Sequence, residues 1–292
     1  AQQTNPFLAL FRGRRLDEAR ARGEVMLRGS PHSVLLHDVV GQIHYAQGRL
    51  DKAAQCFRRA TEVRPDCAEV QFNLGTVLQA LGEQQGALAA YQAAIACKPD
   101  YFAAYNNLGA LHLSMGDNRE AVAALQSAIK LSPGYTDAYV NLGNAFREMG
   151  NNASAIAYYS QALSFQPGHA KAHYNLGLVY SAQGKKGEAI MAFERAIVHA
   201  PDNGDAHREM ATVLLEYGLR EDAIISAERA YCVNPADTIA LCLKMHQLAH
   251  ICDWDRLVPD LHHLETFGIE GGVVASWGML GLEDAPARHR IR

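Results

Sequence analysis

The chain has 292 residues, of which 49% are hydrophobic and 20% charged, the balance of a folded protein rather than a disordered one. Its 27 Lys and Arg against 31 Asp and Glu give a formal charge of -4, which argues against holding nucleic acid or an anionic membrane by bulk electrostatics. Six cysteines without a C-x-x-C pair read as free thiols in a reducing compartment. No apolar run approaches the roughly 18 residues of a membrane span and no signal-peptide core precedes Arg15, so the expected location is the cytoplasm.

The first predicted element, residues 1–33, takes its meaning from a proline register. Pro31 is the first of seven prolines, with Pro65, Pro99, Pro133, Pro167, Pro201 and Pro235, that recur every 34 residues. A period of that length marks a repeat array. Residues 1–33 keep Ala19 and Pro31 in register but have Gly23 where a large residue belongs, and are read as a degenerate capping repeat.

Six repeats occupy 34–237, beginning at Val34, Ala68, Phe102, Thr136, Ala170 and Gly204. Position 15 is always glycine, from Gly48 to Gly218, as suits a chain leaving a helix in the left-handed conformation. Positions 20 and 27 are always alanine, which lets two helices approach closely; position 24 is large in five repeats, namely Phe57, Tyr91, Leu125, Tyr159 and Phe193. Positions 4, 7, 8 and 11 are expected to form the apolar face of a first helix of roughly 13 residues. Positions 20, 24 and 27 mark a second helix, which the proline stops because it lacks an amide hydrogen and clashes with the turn before it.

Beyond Pro235, residues 238–250 predict another helix, and Leu257, Leu261 and Leu264 fall at positions 20, 24 and 27 of a weak seventh repeat, giving a degenerate C-terminal cap over 238–268. Gly268, Gly271 and Gly272 break the pattern, and 269–292 read as a linker toward a missing downstream region.

These columns resemble the tetratricopeptide repeat. The resemblance implies an all-α fold, a right-handed superhelical solenoid of helical hairpins whose first helices line a concave groove, and a role in binding other proteins. Position 6 of that first helix is asparagine in four consecutive repeats, Asn73, Asn107, Asn141 and Asn175. A carboxamide pairs a donor with an acceptor, so such a ladder can hold the backbone of an extended peptide whatever its side chains. The competing reading is that each asparagine satisfies a neighbouring group of its own chain.

With layers roughly 8 to 10 Å apart, the ladder would track about eight or nine residues. Eight hydrogen bonds at about 0.5 to 1.5 kcal/mol each barely offset ordering those residues at about 1 to 2 kcal/mol each. The expectation is weak, promiscuous capture, with selectivity from positions 5 and 9, where Phe72, Asn106, Tyr174 and Asn144 are the candidates. Val39 and Glu209 occupy the column before and after it, and mark its limits. The lysines and arginine that would together clamp a terminal carboxylate do not assemble at positions 2 and 5, which read Glu69, Ala103, Asp137 and Lys171, then Phe72, Asn106, Val140 and Tyr174.

Cys252-Asp253-Trp254, and the run from Trp277 to Pro286, resemble the end of the repeat region in bacterial O-linked N-acetylglucosamine transferases of the SPINDLY family. That resemblance implies a substrate-recognition arm whose catalytic domain lies elsewhere, and no catalytic residue is assigned. Cys242, His246 and His250 stand four apart on one helix, yet the tight knuckles of structural zinc sites are missing, so no metal and no cofactor are expected. The chain itself is read as a non-enzymatic scaffold for an extended polypeptide; pairing of two copies through the groove or a cap is a third reading.

Overall fold

The computed structural model describes residues 15–260, and every described element is a helix. The chain divides into two compact units between Asn151 and Asn152. The first unit holds α1 (Leu16–Gly29), α2 (Val34–Ala46), α3 (Leu50–Val63), α4 (Ala68–Ala80), α5 (Gln84–Cys97), α6 (Phe102–Met115), α7 (Asn118–Leu131) and α8 (Thr136–Glu148). The second holds α9 (Asn152–Phe165), α10 (Ala170–Ala182), α11 (Lys186–His199), α12 (Gly204–Tyr217), α13 (Arg220–Val233), α14 (Thr238–His250) and the short α15 (Trp254–Leu257).

In each unit a helix packs most extensively on its hairpin partner, α2 on α3, α4 on α5 and α6 on α7 in the first, α10 on α11 and α12 on α13 in the second. The alanines at positions 20 and 27 are the reason for the close approach. Ala53, Ala60, Ala87, Ala94, Ala121 and Ala128 are each 0% exposed. Each hairpin then rests on the next through its second helix, as α3 does on α4.

The column-8 glycine, to which the sequence attached no role of its own, is a receptor for the large residue at column 24. A Cβ on Gly75 would lie 2.7 Å from the ring of Tyr91, on Gly109 it would lie 2.5 Å from Leu125, and on Gly177 2.5 Å from Phe193. Where column 24 shrinks to Ala227, column 8 carries Ala211 instead. The core of the hairpins of Gly75, Gly109 and Gly177 is thus a ridge of one helix set into a notch of the other.

The apolar face of the first helix differs from the expectation at column 4. On α4 the buried columns include 3, 7, 8, 10 and 11, with Val70, Leu74, Val77 and Leu78 at 2%, 8%, 1% and 4% exposure and Gly75 buried beside them. Column 4 is a polar clasp: the side chains of His37, Gln71, Tyr139, His173 and His207 donate to the carbonyls of Pro31, Pro65, Pro133, Pro167 and Pro201 at 2.8 to 3.1 Å. That carbonyl lies at a helix boundary with no helical donor, so a side chain six residues later satisfies it.

Each second helix ends two residues before its proline, and the intervening residue is extended, as Arg64 is at φ -139° and ψ 90°. The six column-15 glycines have φ between 70° and 93°. Cys252 stands at the seventh occurrence of the same column and takes the same left-handed conformation, at φ 58°. The turn bond is also repeated: Glu83 N–H to Leu78 O at 2.9 Å has its counterpart in Asp253 N–H to Leu248 O at 3.0 Å.

Cys252-Asp253-Trp254 therefore makes a helix-to-helix turn. Asp253 Oδ1 accepts from Arg256 N–H at 3.3 Å and caps α15, and Leu257 buries itself against Leu241, Met245 and Leu248. The expected helix 238–250 is α14; Leu261, Leu264 and the linker 269–292 lie outside the described residues, as do residues 1–14 of the first cap.

Candidate functional site

The asparagine column lies on the first helices, with Asn73 on α4, Asn107 on α6, Asn141 on α8 and Asn175 on α10, each half-buried. In the first unit these helices touch one another in succession, α2 to α4, α4 to α6 and α6 to α8, and among the described residues successive second helices make no comparable approach. Their face is the inner one of that unit.

The carboxamides are engaged along this face. Asn73 Nδ2 donates to Asp38 Oδ1 at 2.9 Å, and Asn141 Nδ2 donates to Asn106 Oδ1 at 2.9 Å. Both bonds reach from column 6 to column 5 of the repeat before. Asp38 is held in turn by Gln42 Nε2 at 3.0 Å.

At Asn107 the preceding column-5 residue is Phe72, which offers no acceptor. Its Nδ2 turns instead to the Tyr91 hydroxyl at 3.5 Å, and its Oδ1 accepts from Asn106 Nδ2 at 3.2 Å. The Tyr91 hydroxyl donates to Gln79 Oε1 at 2.8 Å. Burial pushes the Tyr91 phenol up, against the opposing effect of its bonds with Thr76 and Asn107. A hydrogen-bonded relay thus runs from Gln79 through Tyr91, Asn107 and Asn106 to Asn141.

The selectivity candidates are placed unequally. Asn106 is 5% exposed and uses both ends of its carboxamide inside the relay. Phe72 is half-buried, with its ring 5.1 Å from Tyr101 and 5.9 Å from Tyr91. In the second unit Tyr174 is half-buried and packs 5.9 Å from Phe193. Asn144 on α8 is half-buried.

Sequence reasoning missed Asp38 and Tyr91 as partners of the ladder. A polar residue at column 5 in the repeat before an asparagine was the available signal, since Asp38 and Asn106 both lie 35 residues ahead of their partners. Beyond the column's end, Glu209 lies 3.4 Å from Arg208, which also pairs with Asp205 at 2.8 Å and with the buried Asp237 at 2.7 Å. Burial opposes the charge on Arg208, but Asp237 outweighs it and raises its pKa.

Among the described residues no three His, Cys, Asp or Glu side chains converge as metal ligands, and no helix is long and apolar enough to cross a membrane. The six cysteines are free thiols.

Sequence models of the tetratricopeptide repeat match residues 41–102, 90–123, 112–150, 143–184 and 170–203, together more than half of the chain. No curated protein matches the sequence. Among solved structures, the chain is similar to a tetratricopeptide repeat protein from Parabacteroides merdae at 16% identity and TM-score 0.70, over 83% of this chain and 96% of that one. It is similar to a chain of the APC/C hetero-tetramer Cut9-Hcn1 at 19% identity and TM-score 0.69, over 83% of this chain and 48% of that one, and so spans about half its length. PilF of Pseudomonas aeruginosa is similar at 18% identity and TM-score 0.62, over 73% of this chain and 97% of that one. At these identities the likeness is one of fold.

Proposed function

The chain belongs to the tetratricopeptide-repeat family, a fold that serves as a protein-interaction scaffold, and from that premise we propose that its asparagine-bearing face binds an extended segment of another protein. The observation that carries this reading is the state of the carboxamides. On half-buried Asn73 and Asn141 one N–H is used by the repeat before, while Oδ1 and the second N–H have no partner among the described residues. An acceptor and a donor left together on an inner face match the C=O and N–H of a peptide backbone.

Recognition by backbone alone is tolerant of sequence, and it is weak because ordering the peptide consumes most of what its hydrogen bonds return. The partner is a protein segment without secondary structure of its own, the chain acts without chemistry at this face, and the cytoplasm is its working location. The test is a titration of the whole chain with a fluorescein-labelled nine-residue peptide of serine, threonine and valine, followed by anisotropy. Saturable binding by the wild type that is weakened at least tenfold when Asn73, Asn107, Asn141 and Asn175 are all changed to Ala is the expected result; equal binding by the two proteins overturns it.

The second reading, a substrate-recognition arm of a glycosyltransferase resembling the SPINDLY family, draws on Cys252-Asp253-Trp254, which forms a capped turn. If it holds, the gene's reading frame continues past Arg292 into a nucleotide-sugar domain. A frame without that domain removes it.

A further inference from the structure

We infer that the three ladder asparagines of the first unit are not equivalent: Asn73 and Asn141 are the peptide hooks, Asp38 and Asn106 are the residues that position them, and Asn107 is an internal strut. This rests on the peptide-binding reading and adds which residues set its geometry. A hook works only if its carboxamide is held at one angle, because a freely rotating side chain must be ordered when the ligand arrives. Asn73 and Asn141 are each held by one bond of 2.9 Å to the repeat before, which fixes the amide plane and leaves the other polar atoms for a ligand.

Asn107 is built the opposite way. Its donor goes to Tyr91 and its acceptor to Asn106, so both ends are used within the chain. What Asn107 steadies is Asn106, and Asn106 steadies Asn141. Asp38 does for Asn73 what Asn106 does for Asn141, with Gln42 in the bracing role. The alternation comes from column 5, polar at Asp38 and Asn106 but apolar at Phe72.

The consequence for the ligand is a spacing. Hooks on every second repeat stand roughly 16 to 20 Å apart at 8 to 10 Å per layer, about five or six extended residues. A peptide engaging both hooks must be longer than that, and its backbone is gripped at two places rather than continuously.

Two measurements on the whole chain test this. In the anisotropy titration with the nine-residue peptide, Asp38→Ala should weaken binding about fivefold, the worth of one hydrogen bond, and Asp38→Asn, which keeps the acceptor, should restore it. Added to Asn73→Ala, Asp38→Ala should cost nothing more. In the ligand-free protein, the side-chain amide cross-peaks of Asn73 in a proton–nitrogen spectrum should move in Asp38→Ala and hold their place in Asp38→Asn. Wild-type binding that Asp38→Ala leaves unchanged, or Asn73 amide signals indifferent to Asp38, overturns the positioning role while peptide capture stands. A wild type that takes up no peptide overturns capture, and the positioning role with it.

Discussion

The ring of Tyr91 fills the space that a side chain on Gly75 would need, the two lying on the paired helices α4 and α5 of one hairpin. Glycine inside a helix costs up to about 1 kcal/mol relative to alanine, so this contact must return more than that. Gly75→Ala places a methyl 2.7 Å from ring carbons of a fully buried tyrosine, which cannot move aside. The overpacking should outweigh the helix gain and destabilise the chain by about 1 to 3 kcal/mol. In a Tyr91→Ala background the same substitution should become neutral or stabilising. Urea unfolding of the four proteins checks this, and additive effects would refute the notch.

The left-handed Cys252 supplies a second prediction. At φ 58° a cysteine carries a steric penalty that the glycines at the other six occurrences of its column avoid. Cys252→Gly should raise the stability of the C-terminal hairpin by about 1 kcal/mol, and Cys252→Val should lower it by at least as much. Amide exchange of α14 is the local measurement. Slower exchange in the valine variant than in the glycine variant would contradict the assignment.

The contrast between these two sites shows what the sequence disclosed. Columns 15, 20, 24 and 27 were legible because each responds to its own backbone or to a neighbour at fixed spacing in the same repeat. The notch at column 8 required seeing that Gly75 and Tyr91, 16 residues apart, meet face to face. Column 4 was misread as apolar because His37, Gln71 and Tyr139 serve a carbonyl six residues back, a demand of backbone hydrogen bonding that hydrophobic periodicity does not register. The ladder's internal bonds were harder still. The link from Asp38 to Asn73 exists only once two repeats are stacked, and a column read within one repeat cannot show it.

Lys244 tests the second unit's cap. It is 8% exposed and meets Asp260 at 2.9 Å and Glu228 at 3.3 Å. Burial alone would lower its pKa, but Asp260 and Glu228 reverse the effect and raise it, so it is charged at neutral pH. Lys244→Ala strands the largely buried carboxylate of Asp260, while the more exposed Glu228 keeps Arg256, and should destabilise the cap by about 3 kcal/mol. Lys244→Met combined with Asp260→Leu should recover most of the loss, measured as the unfolding midpoint; no recovery would mean that a stranded carboxylate is not what destabilises Lys244→Ala.

His173 makes the second unit sensitive to acid. Burial lowers its pKa below the ordinary 6.5, and Arg195, His199 and His169 act in the same direction, against the smaller opposing effect of the Pro167 carbonyl. The unfolded chain therefore binds this proton more readily than the folded one, and stability rises with pH through the window. The contribution is full above about pH 6.5 and is lost as the pH falls below it, at no more than about 1.4 kcal/mol per pH unit. His173→Gln keeps a donor for Pro167, as Gln71 does for Pro65 at 3.0 Å, but cannot titrate. The variant should match the wild type at pH 7.5 and exceed it at pH 5 in thermal unfolding of the full chain. Equal losses on acidification in both proteins would place the sensitivity at the buried His44 and the half-buried His246, whose pKa values desolvation also lowers.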